Sequence, residues 1–277
     1  YKRQAIKQGA LVSRMDGSDP EAFARHMLQE LFHYHGMAVG HFTGDECVMG
    51  DSPVQGAELC SIVEAMYSYE QLLSISGDPV WGDYLERLAF NALPATISAD
   101  MWTHQYDQQT NQVQCALLPK DHVIFGTNGP DSHLFGLEPN FGCCTANFNQ
   151  GWPKFALATF LRSEKGIVSA ALAPASVHTV IDGHAVTCTL ETEYPFRNTL
   201  RYRIVTDGPV SFELKLRIPG CAKSATVNGT VAQPGTFFVM DQVWSGATEI
   251  VVVLEFACET VARPRKMQVL WRGPLLY

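Results

Sequence analysis

Residues 59–89 read LCSIVEAMYSYEQLLSISGDPVWGDYLERLA, and this stretch decides the fold of the first half of the chain. Leu59, Ile62, Val63, Met66 and Leu73 recur at helical spacing and mark one apolar stripe. Gly77-Asp78-Pro79 stops it, because Gly accepts the left-handed conformation that closes a helix and Pro cannot continue one. A second stripe of Trp81, Tyr84, Leu85, Leu88 and Ala89 starts directly beyond that turn. Two helices joined by so short a link fold back on each other as a hairpin. Towards the N-terminus, Ala22, Met27, Leu28, Leu31 and Phe32 carry the same period behind the start signal Ser18-Asp19-Pro20. Phe155, Leu157, Phe160 and Leu161, after Trp152-Pro153, predict a further helix, and Tyr1 to Met15 another.

Past Gly166 the texture changes. Val177–Val180, Val186–Leu190, Thr199–Val205, Phe212–Ile218, Thr226–Val227, Phe237–Met240 and Ile250–Phe256 are short β-rich runs. Asp182-Gly183, Asp207-Gly208-Pro209, Asn228-Gly229 and Pro234-Gly235 punctuate them as turns. Many short strands with frequent turns predict a β-sandwich. The expected order is a helical domain over residues 1–166 and an all-β domain over 167–277.

The chain has 277 residues, 46% hydrophobic and 17% charged, enough apolar material for a sizeable core. Its net charge is −8 and no Lys/Arg stripe occurs, which argues against nucleic acid and anionic membrane as partners. No apolar run approaches the roughly 20 residues of a membrane span. Tyr1 in place of Met, and an ending in the apolar Leu275-Leu276-Tyr277, predict a piece of a longer protein. The eight cysteines do not form the framework of a small disulfide-rich domain. Cys115, Cys188, Cys221 and Cys258 are scattered singly through apolar segments, whereas Cys143 and Cys144 are adjacent at the end of a Gly-rich loop.

Two long loops, 36–57 and 100–143, concentrate Gly, His, Asp and Gln, and such loops usually carry function. The first holds Gly44-Asp45-Glu46-Cys47 and Gly56-Ala57-Glu58-Leu59-Cys60. Residues two apart share a face only in extended chain. Glu58 and Cys60 can therefore bind one ion only if the helix starts at about Cys60. With Cys143 and Cys144 they make a set of three thiols and one carboxylate, which suits zinc; buried structural thiols are the alternative.

The segments Gly44-Asp45-Glu46, Gly56-Ala57-Glu58-Leu59-Cys60, Leu85-Glu86-Arg87-Leu88-Ala89-Phe90-Asn91-Ala92-Leu93 and Gly142-Cys143-Cys144-Thr145-Ala146-Asn147 resemble the cysteine-dependent β-L-arabinofuranosidases of glycoside hydrolase family 127. The similarity runs from about Glu30 through Phe160. It implies a partial α/α toroid followed by a β-sandwich, a carbohydrate substrate, and a zinc ion held by Glu58, Cys60, Cys143 and Cys144. It further implies that Cys143 is the nucleophile, Glu46 the general acid/base, and Tyr106 a neighbour of nucleophile and sugar. A free thiol is mostly protonated at neutral pH, and a metal removes that proton. Retaining glycosidases ordinarily use two carboxylates, so here sulfur takes the place of one.

His35, His41 and His104 are candidates for contacts to sugar hydroxyls, with His33 beside them. Gln105, Gln108, Gln109, Asn111 and Gln112 suit either a sugar pocket or a polar hairpin surface. Trp102 reads as a core aromatic rather than a sugar platform, and Asp45 and Asp51 as turn residues. Asn228-Gly229-Thr230 is a sequon and also a hairpin turn, and the turn is the preferred reading. Rival functions are an inactive or sugar-binding relative with a structural zinc, and a cysteine hydrolase pairing Cys143 with His104. Thiolates suit a reducing cytosol, yet a bound metal protects them and polymer-degrading glycosidases are exported, so the reading leans to secretion.

Overall fold

The computed structural model describes residues 2–112, 115–117, 129–136 and 141–277. Helices come first: α1 (Lys2–Ala5), α2 (Gln8–Asp16), α3 (Ala22–His35), then, after the short strand β1 (Gly56–Glu58), α4 (Leu59–Ser76) and α5 (Val80–Arg87). The hairpin predicted by residues 59–89 is present. Gly77, at φ 71°, closes α4 by returning its N–H to the Leu73 carbonyl, and α5 starts three residues later. A π-helical turn (Leu88–Ala92) extends α5, and β2 (Asp107–Gln109) pairs antiparallel with β1. The N-terminal helix is divided into α1 and α2.

The next helix differs from expectation. α6 runs Gly142–Leu157, so it begins at the cysteine pair and carries Pro153 inside. Phe160 and Leu161 belong to strand β3 (Phe160–Ser163), which turns into β4 (Gly166–Ser169). Their apolar spacing was compatible with either period over so short a run.

The remaining strands are β5 (Ala175–Ile181), β6 (His184–Thr192), β7 (Thr199–Ile218), β8 (Ser224–Val227), β9 (Thr230–Ala232), β10 (Thr236–Glu255), β11 (Cys258–Ala262), β12 (Gln268–Arg272) and β13 (Leu275–Leu276). β11, β12 and β13 form a separate three-stranded sheet. β7 and β10 are each 20 residues long, where four shorter strands were expected. Asp207-Gly208-Pro209 is therefore not a turn between strands. Pairing runs from Thr206↔Gly246 to Val210↔Trp244, so three residues of β7 face one of β10 in a bulge. Pro209 has no N–H for the ladder, and a bulge tolerates that. On one side of this break β7 pairs with β6, and on the other it pairs in parallel with β4. Asn228, at φ 47°, and Gly229, at φ 81°, make the predicted hairpin turn between β8 and β9.

Buried apolar side chains form two clusters. One gathers residues from Ile6 to Ala171 around α4, and the other gathers residues from Ile167 to Leu254 on the sheet. Arg217 of β7, fully buried, joins the halves. Its guanidinium donates to the Asp83 carboxylate at 2.5 Å, to Glu86, and to the Ala170 carbonyl. Tyr194 donates its hydroxyl to Glu86 at 2.6 Å, and the Leu172 N–H reaches the other Glu86 oxygen at 2.7 Å. Gly82 must be bare, since a Cβ there would meet the Arg217 side chain at 2.6 Å.

Candidate metal centre and active site

The local backbone meets the condition set by the Glu-x-Cys spacing. Glu58 ends β1 in extended conformation (φ −62°, ψ 139°) and α4 starts at Leu59. Extended chain up to Glu58 and helix from Leu59 bring the Glu58 carboxylate and the Cys60 sulfur to one place. Cys143 and Cys144 occupy the first turn of α6, where the Cys144 N–H returns to the Phe141 carbonyl at 2.9 Å. One ligand atom from each of Glu58, Cys60, Cys143 and Cys144 lies within 4.8 Å of every other. The Cys60 and Cys144 sulfurs are 3.6 Å apart. Thiolates about 2.3 Å from a tetrahedral zinc are about 3.8 Å from each other, so the donor set fits that ion. Glu58, Cys60 and Cys144 are buried, while Cys143 is exposed.

Without an ion, the surroundings favour protonated thiols. Contact with Cys144, burial and the Glu58 charge hold the Cys60 thiol far above its usual range. Burial first, then Cys60 and Glu58, push the Cys143 thiol up to about 11. The protein alone therefore disfavours negative charge on these sulfurs, and a dication would reverse that balance. The positive ends of the α4 and α6 dipoles act in the same direction as a cation, though more weakly.

Glu46 stands in a loop held against β1. Gly44 pairs with Ala57, its N–H reaching the Gly56 carbonyl at 2.8 Å, and its own carbonyl accepting from Glu58 N–H at 3.2 Å. Asp45 accepts the Glu46 N–H at 2.6 Å, the turn role expected of it, although Asp45 itself is buried. Glu46 is exposed. His35 accepts the Gly50 N–H on Nδ1 at 2.9 Å, fixing the far end of that loop.

The other candidates are placed less simply. His104 is bonded through Nε2 to the Thr145 hydroxyl at 2.9 Å, one residue beyond Cys144. Tyr106 stacks on Phe141 with centroids 4.0 Å apart, two residues before Cys143, and is 1% exposed. His41 is fully buried, with Nε2 2.7 Å from the Ser61 hydroxyl. Tyr106 and His41, expected to meet the sugar, are thus both buried side chains. Gln105, Gln108 and Gln109 are buried too, not a polar hairpin surface, with Gln105 donating to the His133 carbonyl at 2.7 Å. Trp102, expected in the core, is 71% exposed.

Sequence reasoning missed the carboxylate behind Glu58. β1–β2 pairing sets Asp107 opposite Glu58, and Gly56 is bare because a Cβ there would strike the Asp107 side chain. Burial, then Asp45 and Glu58, hold Asp107 well above the usual carboxylate range. Burial lowers His133, 3.7 Å from Asp107, to about 4. Both groups favour the neutral form, so they are a polar contact rather than an ion pair. The signal available was Gly at the start of Gly-Ala-Glu, a position demanding close approach.

Comparison with known proteins places the two halves of the chain in one family. The profile described as "Beta-L-arabinofuranosidase, GH127 catalytic domain" matches residues 36–157, and "Beta-L-arabinofuranosidase, GH127 middle domain" matches 167–256. A GH127 β-L-arabinofuranosidase from Geobacillus stearothermophilus superposes with a TM-score of 0.71 at 18% identity, over 99% of this chain and 45% of that one. A structure described as a GH127 β-arabinofuranosidase gives 0.71 at 16% identity, over 99% of this chain and 46% of that one. Another, described as a glycoside hydrolase, gives 0.62 at 19%, over 82% and 38%. The chain therefore spans less than half the length of these structures. No curated protein matches. Two consecutive domain profiles of one family cover most of the chain and coincide with the helical half and the sheet, and on that ground the chain belongs to glycoside hydrolase family 127.

Proposed function

We propose that this chain carries the sulfur-based catalytic centre of a retaining glycosidase that releases terminal β-L-arabinofuranose, or a sugar of similar shape, from glycans. The observation that supports this most is the convergence of Glu58, Cys60, Cys143 and Cys144 with only Cys143 exposed. Three buried donors suit holding a cation, and the exposed one suits attack. In this reading residues 1–166 are the C-terminal part of an α/α toroid and 167–277 a β-sandwich domain.

Cys143 Sγ attacks the anomeric carbon as the bond to the leaving oxygen breaks. The electron pair of that bond goes to the oxygen, which takes the Glu46 proton. Glu46, now a carboxylate, removes a proton from water, and the water oxygen displaces Cys143 from the anomeric carbon. The C–S pair returns to sulfur, and two inversions give retention. Zinc held by Glu58, Cys60, Cys144 and Cys143 would keep the Cys143 sulfur deprotonated at neutral pH. His104, through Thr145, and Tyr106, through Phe141, brace the first turn of α6 that presents Cys143. His35 braces the Glu46 loop. These three act as positioning residues.

The test is Cys143→Ser. The variant is expected to lose turnover of a β-L-arabinofuranoside by at least about 10³-fold, since a hydroxyl is a far weaker nucleophile at this pH. It should still bind metal through the other three ligands. Turnover unchanged by this substitution would sink the nucleophile assignment, and parent protein without stoichiometric zinc would sink the metal.

A further inference from the structure

Trp102 lies at the tip of a short turn that the structure holds closed from several sides. The Met101 N–H returns to the Ser98 carbonyl and the Ser98 N–H to the Thr103 carbonyl, both at 2.8 Å. Asp100 accepts the Ser98 hydroxyl at 2.6 Å and the Trp102 N–H at 3.1 Å, and Ser98 Oγ accepts the Thr103 N–H at 3.0 Å. Met101 adopts φ 61°, a conformation that a bulky non-glycine residue rarely takes. Such a turn fixes the direction of its tip, and the tip points an indole into solvent: Trp102 is 71% exposed. Its ring makes no hydrogen bond or ring contact among the described residues.

The base of this turn is at the candidate active site. His104, two residues on, pairs with Ile97 and Gly136 and bonds Thr145. Thr145 is exposed, like Cys143, on the first turn of α6. Two residues of chain span at most about 7 Å, so the Trp102 backbone lies within that reach of His104, whose ring bonds the first turn of α6 that carries Cys143. Phe135, 41% exposed, adjoins the other strand of the His104–Gly136 bridge.

A rigid, exposed indole beside a site for sugars has one chemistry that suits it. The C–H face of a pyranose or furanose stacks on an aromatic plane, and a pre-oriented ring loses little entropy in doing so. We infer that Trp102 is a stacking platform for the residue adjoining the terminal sugar, on the leaving-group side of the bond that Cys143 would open. This rests on the glycosidase reading above and adds to it a subsite for a second saccharide ring.

The test is titration of the chain with L-arabinose and with a sulfur-linked β-L-arabinofuranosyl disaccharide, which resists hydrolysis. Trp102→Ala should weaken disaccharide binding about fivefold to tenfold and leave arabinose binding unchanged, as loss of one stacking contact requires. Trp102→Phe should recover most of that loss, which separates a stacking role from a disturbed turn. Disaccharide affinity unchanged in Trp102→Ala, or an equal loss for both sugars, overturns the platform while leaving the glycosidase reading in place. A parent chain that binds neither sugar overturns both.

Discussion

Two clusters in this molecule bury negative groups, and they handle the charge in opposite ways. At the junction of the halves, Asp83 and Glu86 receive a fully buried arginine from the same chain. Burial alone would lower Arg217, yet Glu86 and Asp83 outweigh it and hold the guanidinium above its ordinary range, while burial holds the Glu86 carboxyl above its own against the pull of Arg217. Every lone pair that matters has a donor: Arg217, Tyr194 and the Leu172 N–H. At the other cluster, Glu58 and three cysteines bring one donor atom each to within 4.8 Å of every other. There the Cys60 and Cys143 thiols are driven to stay protonated. A buried anionic group with an internal counter-charge is a joint in the fold. Thiols that stay protonated until a metal displaces their protons suit a cation from outside, and that difference sets the cluster apart from the joint.

The comparison breaks most visibly at the arginine. Arg217→Met leaves Glu86 buried, and Asp83 partly buried, without their cation, and breaking a buried pair from one side costs about 3–5 kcal/mol. Chemical denaturation should read a loss of that size, and zinc should not restore it. A loss below about 1 kcal/mol would mean that the halves do not depend on this joint.

The cysteine cluster should respond in the reverse manner. Cys60→Ala removes one small buried side chain and relieves sulfur–sulfur crowding, so the metal-free protein should change little. What disappears is the response to metal. At zinc a hundredfold above its dissociation constant, the parent should gain about 2.7 kcal/mol from mass action, and Cys60→Ala only a small part of it. Arg217→Met, in the same titration, should keep the full increment. A zinc response equal in all three proteins would erase the distinction between joint and site.

The distinction was only partly legible in the sequence. The hairpin of α4 and α5 could be read because its apolar period and its Gly-Asp-Pro stop agree. The requirement that Glu58 be extended followed from spacing alone, since two residues share a face in one conformation and not in the other. The merging of four expected strands into β7 and β10 was not readable. Asp-Gly-Pro is a turn signal locally, and only the pairing of Val210 with Trp244 makes it a bulge. Arg217 was invisible for a similar reason: it sits 131 residues from Glu86, and nothing near it marks it as buried. Trp102 was assigned to the core because aromatics usually go there, whereas the turn that displays it is closed by Ser98 and Asp100 side chains together with two backbone bonds. The four cluster residues could be named, but their convergence depends on α4 packing against α6, which only the fold supplies.

Glu70 offers an intermediate case and the smallest effect. It lies on α4, 7% exposed, and one of its carboxylate oxygens has no hydrogen-bond partner among the described residues. Burial pushes its carboxyl up to about 8, and the charge of Lys154 offsets this only in part. Lys154 is shared, donating to Gln150 at 2.6 Å and lying over the Tyr67 ring at 3.8 Å. The folded state therefore retains a proton that the unfolded chain has released above its ordinary value of 4.5. Stability from this proton is complete below about pH 4.5 and is lost as pH rises towards about 8. Glu70→Gln is uncharged throughout, so its melting temperature, relative to the parent, should climb steadily across that window. Lys154→Met should steepen the parent's decline by removing the partial offset. Parallel melting curves for parent and Glu70→Gln from pH 5 to 8 would instead show that Glu70 is already provided with its counter-charge.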